Sequence, residues 1–288
     1  MAAAHAPGPT AGWRRYLGYA VLIFFALVFI FPFVLSLASS FKTLPDIQAN
    51  PVRLLADPEY GWTLDGIQGL NTESVRLPRW FLNSTVVTVI ATLGRVFLAS
   101  MAGYALAKMS YPGKQILFAL IIVLLAVPGV VLLIPKFLIL KQLGLLNTYA
   151  GLILPLVFDA FAIFLMKQFF EQLPDELIEA AAIDGASAWQ TFSRVMLPLA
   201  APGVIALTIL SVQGIWNEFL HPLIAVPGAP ELATLPLGLA NLRASFGENQ
   251  PWNTILAGSL TATIPIAIVF FVFQRYFVQG VAATGVKG

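Results

Sequence analysis

The 288-residue sequence contains no cysteine and only two histidines, His5 and His221. A disulfide framework, a thiolate nucleophile and a cysteine metal site are therefore excluded, and two histidines do not make a histidine cluster. Charge is scarce as well: 10% of residues are Asp, Glu, Lys or Arg and 58% are hydrophobic. Soluble domains carry about 25% charged residues, so this composition is that of an integral membrane protein. A net charge of +2 without a basic cluster gives no footing for nucleic acid. No Walker-type glycine loop occurs, so ATP is not bound by that device. With no paired metal ligands and no serine motif either, the chain has no visible enzyme constellation, and no cofactor is expected on it.

What the sequence has in quantity is apolar runs, and their lengths predict an all-α membrane protein with six spans. Residues 1–15 are rich in Ala, Pro and Gly and are expected to be disordered, with Arg14-Arg15 at their end. The run 16–41 is too long for a signal peptide and fits a first span, which needs about 20 residues. Further spans are expected at about 80–107, 115–135, 149–166, 195–226 and 252–273. The polar segment 42–79, with five acids and several Pro and Gly, reads as a structured loop. Six spans put both termini on one side. Charge bias between the two sides is slight, eight basic residues against seven, so Arg14-Arg15 is the better sign that the termini are cytoplasmic. Prolines at 32, 128, 135, 155, 202, 222 and 265 fall within or at the ends of spans and free backbone groups that neighbours must satisfy. No internal repeat is apparent, which counts against secondary-transporter folds built on inverted repeats.

The longest polar break in the second half, 167–194, is the organising feature. Pro174 and Asp175 suit the first turn of a short helix. Ala180, Ala181 and Ala182 give that helix a face almost without side chains, and Asp184-Gly185 marks a turn, with Asp184 available to cap a helix restarting at Ala186. The segment carries five acids against Lys167 and Arg194, a net of −3.

Glu179, Ala180, Ala181, Asp184, Gly185 and Ala186, followed by Leu197-Pro198 and Pro202, resemble the cytoplasmic coupling loop of binding-protein-dependent ABC importer permeases. Phe81-Leu-Asn-Ser84, Ala102-Gly-Tyr-Ala-Leu-Ala107, Trp216-Asn-Glu-Phe219 and the tail through Gly285-Val-Lys-Gly288 are similar to the carbohydrate type, in its maltose-permease-like second subunit. The resemblance implies the type I importer permease fold and placement in a bacterial inner membrane. It further implies a second permease chain, a cytosolic ATPase dimer that carries ATP and magnesium, and an extracytoplasmic solute-binding protein. On that footing the loop residues just named would contact the ATPase, and a locally basic rim is expected on its groove.

Three ionisable residues, Arg95, Asp159 and Glu218, stand at membrane depth, where charges face a cavity, the bundle interior or one another. One reading pairs Arg95 with an acid. The other lines a substrate path with Arg95, Asp159, Gln213, Trp216, Asn217 and Glu218, whose amides and carboxylates suit sugar hydroxyls and whose indole suits a pyranose face. A cationic Arg95 would also suit a glycerol-phosphate-type solute carried by the same machinery. A rival of another class is an ion-coupled secondary transporter using Asp159 or Glu218, which would have no use for the 167–194 loop.

Overall fold

The structure is a computed structural model and describes residues 11–72, 75–245 and 250–285. Helices run in the order α1 (Ala11–Ser40), α2 (Leu44–Ala49), α3 (Asp65–Gln68), α4 (Leu77–Lys108), α5 (Lys114–Ala126), α6 (Leu133–Gln142), α7 (Tyr149–Val157) and α8 (Ala160–Glu171). They continue with α9 (Glu176–Ile183), α10 (Ala188–Gln190), α11 (Leu197–Leu199), α12 (Ala201–Trp216), α13 (Leu220–Ala225), α14 (Leu235–Ser245) and α15 (Trp252–Gly285). No β-strand is formed among the described residues; pairing there is confined to isolated bridges such as Lys42 with Trp62.

Among the described residues, four stretches are long and apolar enough to cross a membrane as they stand: Arg15–Ser40, Leu77–Lys108, Tyr149–Glu171 and Trp252–Phe273. Two bent pairs, Lys114–Ala126 with Gly129–Gln142 and Ala188–Leu199 with Ala201–Trp216, bring the number to six if each crosses once. The expected spans fall on these stretches, but several boundaries differ. Residues 11–15 of the expected disordered start are helical, and residues 1–10 lie outside the described residues, as do 286–288 of the tail. The run 115–135 is not one straight span. Val127 is held extended by the following Pro128, and the helix resumes at 100° to its first half and continues to Gln142. The expected span 195–226 is interrupted after Trp216, and the chain restarts as α13 with Pro222 in its first turn, where no N–H is needed.

Two compact units divide the chain, residues 1–72 with 243–261 and residues 73–242 with 262–288. In the first, the loop after α1 is organised around a fully buried pair. Lys42 Nζ lies 3.6 Å from Asp46 Oδ2 and donates to the Arg53 carbonyl at 2.5 Å. Asp46 Oδ2 in turn accepts from Asp57 N–H, and Asn253 donates to the Lys42 carbonyl. A charge taken out of water needs such partners, and these fix 42–57 as a structured loop, as its composition predicts.

The second unit is built on α4, whose interior is free of proline. Gly103 of α4 lies against the backbone of α8: a Cβ there would come within 2.7 Å of Met166 Cβ and 2.8 Å of Lys167 N. Tyr104, Met166, Phe170, Phe192, Met196 and Leu207 close the core around that contact. At the other end of α4, buried Asn83 donates to the carbonyls of Glu231 and Ala233, at 2.8 Å each, and accepts from Tyr149 Oη at 2.6 Å. Ser84 Oγ accepts from Leu235 N–H. The segment 231–235 is thereby stitched to the start of α4.

Candidate functional site: the 172–199 loop and the broken spans beside it

The loop is a helix–turn–helix whose stops and starts follow from single residues. Helix α9 ends at Ile183, and Gly185 takes φ +78°. Gly185 N–H bonds the Ala182 carbonyl at 3.1 Å and Ala186 N–H bonds the Ala181 carbonyl at 2.9 Å, the paired closure of a Schellman motif. Glycine is required here by the backbone and not by crowding, since a Cβ at Gly185 would meet nothing within 4 Å.

The chain restarts at Ala188, two residues later than the sequence suggests. Ser187 is the N-cap of α10, and with Gln190 it forms a capping box: Gln190 N–H donates to Ser187 Oγ and Ser187 N–H to Gln190 Oε1. Asp184 closes α9 and does not cap its successor. From α10 the chain winds as a π-helical turn, Thr191–Met196, into α11 and then bends by 77° into α12.

Three successive alanines cannot share a face when each residue turns the helix by about 100°. Ala181 is buried while Ala180 and Ala182 are exposed. Leu177, Ile178 and Ala181 form the inner stripe of α9, with the two larger residues packed on the core. Glu176, Glu179, Ala180, Ala182 and Asp184 face outward with Ile183, which is 87% exposed, and Trp189 beyond the turn is 54% exposed. Two large apolar side chains on a rim of carboxylates make a surface suited to another protein. Lys167 does not belong to this polar segment: it lies within α8, buried, over the Phe118 ring at 4.1 Å and paired with Glu171.

Arg95 and Asp159 come together, and both serve a break in the fourth span. Helix α7 stops at Val157 and α8 starts at Ala160, so Asp159 lies in a gap and not inside a continuous helix. Its Oδ1 caps α8 by accepting from Ala162 N–H at 2.7 Å. Arg95 Nε and Nη2 donate to the Leu156 carbonyl at 2.8 and 2.6 Å, and Nη1 lies 3.8 Å from Asp159 Oδ2.

The other expected path residues divide. Trp216 is buried, its indole N–H donates to the Ala262 carbonyl at 2.9 Å, and its ring packs edge-on to Phe81. It is a packing residue without an open face for a sugar. Glu218, one residue before the N-cap Phe219, accepts from His221 N–H at 3.0 Å and so satisfies a donor in the first turn of α13. Gln213 and Asn217 are exposed and adjacent, with Asn217 Nδ2 donating to the Gln213 carbonyl. Sequence reasoning missed His221, whose Nε2 reaches the carbonyls of Gly151 and Leu152, and Lys108, whose partners lie 65 and 67 residues away.

Residues 95–283 match the family described as the binding-protein-dependent transport system inner membrane component. This chain belongs to that family. Relatives of the inner membrane component extend along nearly all of it. The arabinooligosaccharides transport system permease protein AraQ of Halalkalibacterium halodurans is 36% identical over 97% of this chain and 98% of its own length. The diacetylchitobiose uptake system permease protein NgcG of Streptomyces coelicolor is 34% identical, over 91% and 86% of the two chains. The sn-glycerol-3-phosphate transport system permease protein UgpE of Escherichia coli is 31% identical, over 93% and 96%. Among solved structures, a chain of a bacterial ABC transporter involved in the import of the acidic polysaccharide alginate superposes with a TM-score of 0.80 at 22% identity. That match covers 95% of this chain and all of the other, and it shows a shared importer permease fold.

Proposed function

We propose that this chain is one permease subunit of an ATP-driven importer for a sugar or oligosaccharide. The observation that carries the proposal is the exposed α9 surface, with its Schellman turn at Gly185, in a chain that matches sugar-importer permeases over nearly its full length. In this reading the chain works with a second permease, a cytosolic ATPase dimer that holds ATP and magnesium, and an extracytoplasmic solute-binding protein. Glu179, Ala180, Asp184, Gly185 and Ala186, joined by Ile183 and Trp189, meet the ATPase, while Ala181 seats the helix from behind. The loop and both termini then face the cytosol.

The work of such a subunit is mechanical. ATP binding and hydrolysis move the partner ATPase, the docked loop follows, and the spans alternate between two faces. Gln213 and Asn217 are the candidates for contact with solute, since both keep exposed amides. The UgpE relatives favour a glycerol-phosphate solute as a second reading. Arg95 gives it no support, because its guanidinium is occupied by the Leu156 carbonyl and Asp159. An ion-coupled carrier leaves the exposed loop without a role.

Gentle purification of the tagged chain from native membranes tests the proposal. Co-purification of an ATPase, a different permease chain and a solute-binding protein is the expected result, and the binding protein's ligand then names the solute. A chain that comes alone and moves solute in liposomes without ATP overturns it.

A further inference from the structure

We infer that Lys108 is the positioning residue that fastens the coupling loop to α4. Lys108 is the last residue of α4, and its side chain is 5% exposed. Its ammonium donates to the Leu173 carbonyl at 2.6 Å and to Asp175 Oδ1 at 2.5 Å. Those two acceptors flank Pro174, immediately before α9 begins. At the end of α4 it is Lys114 Nζ that reaches backbone carbonyls, those of Ala107 and of the C-cap Met109, at 3.2 and 3.0 Å. Both acceptors of Lys108 lie in the loop, so its ammonium is directed there and not at its own helix.

The covalent chain joins the loop to α8 and α12, so any load passing from it to α4 crosses non-covalent contacts. One set is aromatic: Tyr104 packs on Phe170 and Phe192 with centroids 5.5 and 5.2 Å apart. Apolar contact of this kind holds surfaces together but is non-directional. A charged hydrogen bond prefers a narrow range of angles and is the stronger for its charge. Lys108 is thus the contact that fixes the direction in which the start of α9 sits on α4. The inference rests on the coupling reading proposed above.

The test uses the whole complex as isolated from native membranes, with ATP hydrolysis measured with and without its solute-binding protein. In Lys108→Met the stimulation by binding protein, relative to basal hydrolysis, is expected to fall about fivefold or more, and Lys108→Arg restores it. Wild-type stimulation in Lys108→Met overturns the inference. So does a lower yield of complex with the ratio unchanged, which is what a merely structural lysine would give. If Lys108→Met does not assemble, Asp175→Asn decides, because that carboxylate is 75% exposed and its loss is tolerable to folding: a partial fall supports the inference and an unchanged ratio overturns it. A wild-type complex without an ATPase overturns the proposed function itself, and this inference with it.

Discussion

His221 Nε2 lies 3.0 Å from the carbonyl oxygen of Gly151, the carbonyl that Pro155, four residues on, leaves without a helical donor. Because both neighbours of Nε2 are carbonyls, that nitrogen carries the proton, and Nδ1 is left buried without a partner. A histidine from α13 thus repairs the defect that a proline makes in α7. His221→Leu is expected to lower the thermal stability of the detergent-solubilised protein by about 1–2 kcal/mol, and His221→Gln, which keeps a donor, by less. Thermal unfolding followed by size-exclusion chromatography reads the difference; equal midpoints for the two variants would show that the bond carries no stability.

At Gly185 the outcome depends on backbone preference. A side chain has room, but a β-branched residue opposes positive φ by about 1–2 kcal/mol. Gly185→Val is expected to insert normally, bind ATPase poorly and lose uptake, while Gly185→Asn retains most of it. Uptake and ATPase co-purification, measured side by side, check this, and wild-type uptake in the valine variant would sink it.

Arg95 braces the gap between α7 and α8, so its removal leaves the Leu156 carbonyl and Asp159 short of a partner. Arg95→Gln is expected to cost about 1–3 kcal/mol of stability and to leave substrate preference unaltered. Comparing uptake of arabinotriose and sn-glycerol 3-phosphate in wild type and variant provides the measurement. A changed preference would put the guanidinium on the solute path after all.

Gly103 has the opposite problem to Gly185. Its φ is ordinary, but even a methyl group would press on Met166 and on the Lys167 backbone nitrogen. Backbone cannot move aside as a flexible side chain does, and overpacking of this kind costs about 1–3 kcal/mol. Gly103→Val should sharply reduce the monodisperse protein recovered from membranes, and an undiminished peak on fluorescence-detected chromatography would contradict the close packing of α4 on α8.

Hydropathy alone made the spans legible, because about 20 apolar residues have few other uses. The turn at Gly185 was equally legible, since an Asp-Gly pair after a short helix has few alternatives. What the sequence did not disclose depends on partners distant along the chain or on local competition. Pro128 marks a break, but a proline does not give the angle of the bend, which is 100°. Ser187 with Gln190 is a capping pattern in plain view, yet Asp184 offers a competing cap three residues earlier, and only the Schellman closure decides between them. Trp216 looks like a sugar platform until Phe81 and the Ala262 carbonyl are found against it, 135 and 46 residues away. Arg95 was legible as a partner for an acid, but the sequence left Asp159 and Glu218 equally eligible and did not disclose the broken helix that Arg95 and Asp159 serve.

The proline defect within α7 and the gap between α7 and α8 are held by side chains from other helices, His221 at the first and Arg95 at the second. A kink solvated by water bends by degrees. One latched by a specific donor has to release that donor before it moves, and it gains nothing until another acceptor is reached. A bundle with latched kinks therefore clicks between a few poses instead of flexing through a continuum, which suits a machine that must never stand open at both ends.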